Sequence, residues 1–170
     1  MPSARRTGSS AAQDPDRPGS TAAVPIIAAL PAGPRRRLAA VMTRVEVEAG
    51  ETFMHEGDVT KVLSIIVRGR VALRLRVPER GAVTILTLDP GDIVGWSAIV
   101  PPYRATTSAA ALEATELASF EAEELRAILA TDAEVAAAFL PAVLETVAAR
   151  VAATRDQLLD LFRGAEVDPW

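Results

Sequence analysis

Val62-Leu63-Ser64-Ile65-Ile66-Val67-Arg68-Gly69-Arg70-Val71-Ala72-Leu73-Arg74-Leu75-Arg76-Val77 decides the fold class. Leu63, Ile65 and Val67 fall on alternate positions, and Gly69 marks a turn. Val71, Leu73, Leu75 and Val77 then alternate with Ala72, Arg74 and Arg76, the period of two expected of a half-buried strand. Moving outward, Pro78 to Gly81 closes a hairpin into a strand at Val83–Leu88, which stops at Asp89-Pro90-Gly91. Ile93 and Val94 make a short strand, and further strands are expected at Thr106–Leu112 and Thr115–Phe120. In the other direction, Val45 and Val47 alternate with Arg44 and Glu46, Ala49-Gly50 turns, Thr52 to Met54 restarts a strand, and Gly57-Asp58 turns again. Many short strands broken by glycine and proline turns indicate a barrel or sandwich.

The flanks read as helices. Ile26, Ile27 and Leu30 form a short apolar turn, and Pro34 opens a short helix over Arg35–Met42. Glu121 to Ala130 is a short helix, and Thr131 or Asp132 caps the next one. That helix is expected to run to about Arg163 and stop at Gly164, roughly 32 residues or 48 Å at 1.5 Å per residue, with a kink at Pro141. Val147, Val151, Leu158 and Leu161, with Thr154 among them, step by four and three like a heptad seam. The seam suits packing on the chain's own barrel or a homodimer helix; the length favours the dimer. Residues 1–23 are Ser, Gly, Pro, Arg, Asp and Ala without periodicity and read as a disordered tail, and 165–170 as a second tail. The expected units are thus a roll with short helices over 24–131 and a long helix over 132–164.

Composition narrows the function. Hydrophobic residues make up 49% of the 170 and aromatics 4%, so the core is aliphatic. With no cysteine, thiol catalysis, zinc ribbons and disulfides are all excluded. A net charge of −4 argues against a broad nucleic-acid face. Arg35-Arg36-Arg37 is too short a cluster to change that and reads as a solvated helix face. No uninterrupted apolar run of about 18 residues is present, and no secretory signal follows Arg5 and Arg6, so a cytoplasmic chain without a membrane span is expected. The single histidine, His55, cannot by itself build the multi-histidine metal site of a β-roll enzyme, and no nucleophile–base pair is evident, so the chain is not expected to be an enzyme.

The order helix, β-roll, short helix, long helix, together with Val47-Glu48-Ala49-Gly50-Glu51-Thr52-Phe53, Glu56-Gly57-Asp58 and Ile65-Ile66-Val67-Arg68-Gly69-Arg70-Val71, resembles the cyclic-nucleotide-binding domain of the catabolite-activator and fumarate–nitrate regulator superfamily. The resemblance covers about residues 25–163. It implies a mainly β fold, a jelly-roll-like double-stranded β-helix followed by a short and a long helix. It also implies a cassette at Pro90-Gly91-Asp92-Ile93-Val94-Gly95-Trp96-Ser97-Ala98-Ile99, where backbone N–H groups and an arginine take the phosphate of cAMP or cGMP. Gly95 matches the glycine opening the cassette, and Arg104 matches the phosphate arginine, with spacing to Ala111-Leu112 one residue longer than usual. Thr106 or Thr107 would supply a hydroxyl, and Thr154 matches a threonine that reaches the base from the long helix.

One departure is chemical. Where the family carries Gly-Glu, this chain has Gly95-Trp96. The acid accepts a hydrogen bond from the ribose hydroxyl, whereas an indole only donates. Trp96 therefore fills the pocket, stacks on a different ligand, or points elsewhere. Arg104 has a plainer reading as an exposed loop arginine, and Thr154 as a polar spacer. The family's gene regulators carry a helix-turn-helix after the long helix; only Ala165 to Trp170 follow here, so direct DNA contact is not expected unless the chain is a truncated regulator. The expected function is a stand-alone sensor that binds a small anionic ligand through Gly95, Trp96, Ser97, Arg104, Thr106, Thr107 and Thr154 and signals through its long helix. The alternative is a degenerate scaffold for dimerisation or protein interaction without nucleotide binding.

Overall fold

The computed structural model describes residues 24–164, with side chains described as far as Asp156. The expected tails at 1–23 and 165–170, and the side chains of Leu158 and Leu161, lie outside the described residues. Two short helices, α1 (Pro25–Ala28) and α2 (Ala32–Val41), lead into eight strands. These are β1 (Thr43–Val47), β2 (Thr52–Met54), β3 (Val62–Arg68), β4 (Val71–Val77), β5 (Gly81–Leu88), β6 (Ile93–Val94), β7 (Ser108–Ala111) and β8 (Thr115–Glu121). A 3-10 turn, Trp96–Ala98, lies between β6 and β7, and α3 (Ala122–Thr131) and α4 (Ala133–Gly164) close the chain.

The strands form two antiparallel four-stranded sheets, in the orders β1-β8-β3-β6 and β2-β7-β4-β5. Consecutive strands repeatedly change sheet, which is the wrapping of a jelly-roll-like β-roll. The first sheet is covered on both faces, so β3 is buried at four successive residues, Leu63 to Ile66, rather than at alternate ones. Leu63, Ile65, Ala118 and Phe120 face the helices, where Leu38, Leu125, Val135 and Phe139 complete one core cluster. Ile66 and Leu117 face the roll interior, with Val71, Leu73 and Leu88 opposite them. On that inner face Ser64 stands opposite Ser119, and their hydroxyls hydrogen-bond at 2.9 Å, so a polar pair is buried at little cost.

The β3–β4 turn depends on Gly69. Its φ is +88°, and a Cβ there would lie 2.5 Å from Thr115 Oγ1 and 2.8 Å from the Ala114 carbonyl oxygen. β7 is shorter than the strand expected over Thr106–Leu112, because Thr106 and Thr107 leave the ladder and turn toward a cavity.

Asp132, not Thr131, caps α4: its Oδ1 accepts from the Val135 N–H at 3.0 Å, while the Thr131 hydroxyl donates back to the Ala127 carbonyl. Arg37 of α2 ties down the same end, pairing with Asp132 at 2.7 Å and with Glu134. α4 then runs as one helix through Pro141. By length and composition its Ala133–Asp156 stretch, with a mean hydropathy of 1.6, is apolar enough to cross a membrane. Glu134, Glu145 and Arg150 interrupt the stretch, so it holds no uninterrupted apolar run of that length. Val135, Phe139 and Val143 within it are buried against the roll and short helices, as in the core helix of a folded domain.

Candidate functional site

Between the roll and α4 lies a cavity of about 430 Å³. Its floor is apolar: Met54 from β2, Leu73 from β4, and Ile85 and Leu86 from β5. Gly95, Trp96 and Ser97 form one rim, and Thr106 and Thr107 another. α4 supplies the lid with Val147, Arg150, Val151, Thr154 and Arg155. The volume falls in the range of small-molecule pockets, and none of the described lining residues is a carboxylate.

The rim at 95–97 is held rigidly. Gly95 adopts φ +74°, and a Cβ would lie 2.6 Å from the Val62 carbonyl oxygen, so β6 can turn this close to β3 only through a glycine. The buried Ser97 hydroxyl bonds to Thr60 Oγ1 at 2.9 Å. From α3, Arg126 donates to the Ala98 carbonyl at 2.6 Å, and its guanidinium lies 4.6 Å from the centre of the Tyr103 ring. Trp96 is half-buried. It leans on the helix-side core cluster and walls the cavity, which stays open beside it. The reading in which the indole fills the pocket is therefore not what the packing gives.

The structure brings together Gly95, Trp96, Ser97, Thr106, Thr107 and Thr154 of the residues expected from sequence. Arg104 is left outside. It pairs as an isolated bridge with Val59, its guanidinium donates to the Gly57 carbonyl at 2.8 Å, and its side chain is exposed. The loop at 57–59 thus uses the arginine that the resemblance assigned to the phosphate. Ser97 also differs from expectation in detail, since its hydroxyl is already hydrogen-bonded inside the protein. The Thr154 hydroxyl donates to the Arg150 carbonyl at 2.9 Å, so toward the cavity it presents acceptor lone pairs.

Sequence reasoning missed Arg150. It lines the cavity, is half-buried, and donates to the carbonyl of Ile93 in β6. Burial lowers its pKa, and the negative charge of Asp92 opposes that shift. The guanidinium stays charged at any physiological pH. The sequence signal was available: Arg150 sits three residues after Val147 and four before Thr154, on the face that the seam already marked. Among the described residues no group of three or more His, Cys, Asp or Glu side chains is placed to hold a metal ion.

The sequence profile of a family described as "Cyclic nucleotide-binding domain" matches residues 44–132, more than half of the chain. The chain belongs to the cyclic-nucleotide-binding domain family. It is 27% identical over 118 residues to a CRP-like cAMP-activated global transcriptional regulator of Mycobacterium tuberculosis, covering 69% of this chain and 51% of that one. The chain thus spans about half the length of the curated relatives it matches. Among solved structures, a cyclic nucleotide-binding domain from Methylobacillus flagellatus KT superposes with a TM-score of 0.72 at 22% identity, over 81% of this chain and 80% of that one. The N-terminal domain of a transcriptional regulator from Streptomyces coelicolor A3(2) superposes with a TM-score of 0.60 at 29% identity, over 78% of this chain and 90% of that one.

Gly95 lies at the rim and the floor is apolar; among the described residues no carboxylate lines the cavity, and Arg104 is turned away from it. The cations available are Arg150 and Arg155, and Arg155 is exposed and paired with its neighbour Asp156 at 3.1 Å.

Proposed function

We propose that the protein is a regulatory ligand-sensing module, not an enzyme, that takes a small anionic molecule into the cavity between the roll and α4 and passes the event on through α4. The observation that supports it is an open cavity of small-molecule size in which a half-buried arginine of the long helix meets the 95–97 rim of the roll. A ligand there touches both bodies at once and so biases their relative position. cAMP and cGMP are the first ligands to test. Calorimetric titration of the folded protein with each is the experiment. Saturable heat supports the nucleotide version, and no heat at millimolar ligand removes it.

The output we assign to α4 is a homodimer. Leu140, Leu144, Val147, Val151 and Thr154 step by four and three along one stripe. Leu144 and Val151 are 68% and 65% exposed. A stripe with this spacing is self-complementary in a two-helix coiled coil, which makes a second copy of the chain its natural occupant. The mass in solution by sedimentation tests it, and a strict monomer at tens of micromolar overturns it. A cytoplasmic setting, and no DNA contact by the described residues themselves, complete the reading. The scaffold alternative keeps the dimer and drops the ligand; no binding of any small anion would favour it.

A further inference from the structure

We propose that Arg150 is the anion-binding residue of the cavity, and that the ligand class it selects is an amphiphilic anion: one carboxylate, sulfonate or phosphate ester head on an apolar or aromatic body. The inference rests on the reading of the cavity as a small-anion site. A half-buried cation loses part of its hydration, and an anion facing it restores that loss. Among the described residues Arg150 has no carboxylate within ion-pair distance; its hydrogen bond goes to a neutral acceptor, the Ile93 carbonyl. The guanidinium has five donors, so most remain for a second acceptor. Around it the walls are Leu73, Ile85, Leu86, Val147, Val151 and the indole of Trp96. Such walls take up an apolar body and give a ribose nothing beyond threonine hydroxyls and backbone. The head group and the body of the ligand thus have separate, adjacent places.

Arg150 also joins α4 to β6, through the same guanidinium that takes the anion. Ligand entry is therefore felt by the long helix directly, without relay through the 57–59 loop that holds Arg104.

The test uses the full chain with Trp170→Phe, which leaves Trp96 as its one tryptophan. Trp96 emission, excited at the red edge, reports occupancy of this cavity. The titrants are 4-phenylbutyrate, octanoate, the neutral 4-phenylbutan-1-ol, and cAMP. The two carboxylates are expected to saturate. Arg150→Gln is expected to weaken them on the order of tenfold, the loss of one charge-assisted contact, and to leave the alcohol unchanged. Arg104→Gln is expected to leave all of them unchanged. If Arg150→Gln does not fold by circular dichroism, Arg150→Lys carries the test: losing the planar fork should weaken the carboxylates and not the alcohol. Carboxylate binding indifferent to Arg150, or failing with Arg104→Gln, overturns the inference. Saturation by cAMP alone overturns it too, while leaving the sensor reading intact. If no titrant saturates, both fall.

Discussion

The two halves of α4 carry the same kinds of residue and do opposite things. Val135, Phe139 and Val143 lie four apart and are almost fully buried. Val147 and Val151 continue the same four-residue row, yet Val147 is half-buried and Val151 is 65% exposed. A row of four-residue steps drifts around the helix, since 3.6 residues make a turn, so it passes off the core and out over the cavity. Burial follows from what lies opposite: α2, α3 and β8 in the first half, and open cavity in the second. The first half fastens the helix to the domain, and the second is left available to a ligand and a partner helix.

Substitutions sharpen that division. Phe139→Ala, in the fastened half, is expected to cost about 3–5 kcal/mol, because the ring is fully buried against Phe120 at a centroid distance of 6.3 Å. Urea denaturation measures it, and a loss below about 1 kcal/mol would mean that the first half is not core. Asp132→Ala removes the cap at the fastened end and should cost about 1 kcal/mol by the same measurement. Val151→Ala, in the open half, should change monomer stability by no more than about 0.5 kcal/mol while shifting a sedimentation-measured dimer toward monomer. A large stability loss there would mean that the second half packs on the roll and that the division is wrong.

Much of this was legible before the structure. The turn glycines and the strand periods gave the roll, since Gly69 and Gly95 stand where backbones approach too closely for a side chain. The double-sided burial of β3 was not legible. Alternation at Leu63, Ile65 and Val67 looks the same whether one face or both are covered, and only the docking of α2, α3 and α4 decides. Gly95, Trp96, Thr106, Thr107 and Thr154, which line the cavity, could be named from sequence because each lies in a local motif. Where Arg104 lies was not legible, because it depends on which loop captures its guanidinium, and here the Gly57 carbonyl does. Arg150 escaped notice because an arginine between apolar seam positions reads as solvated until the opposing sheet is in view.

The clamp of Arg37 on Asp132 and Glu134 has a mechanical consequence. With its first turn held by that clamp and Val135, Phe139 and Val143 packed in the core, α4 is free to swing only beyond Val143. Arg150 lies ~10 Å past Val143 at 1.5 Å per residue, so a tilt of about 10° there carries its guanidinium on the order of 2 Å, enough to make or break a hydrogen bond. The same tilt would displace each residue further the nearer it lies to Gly164.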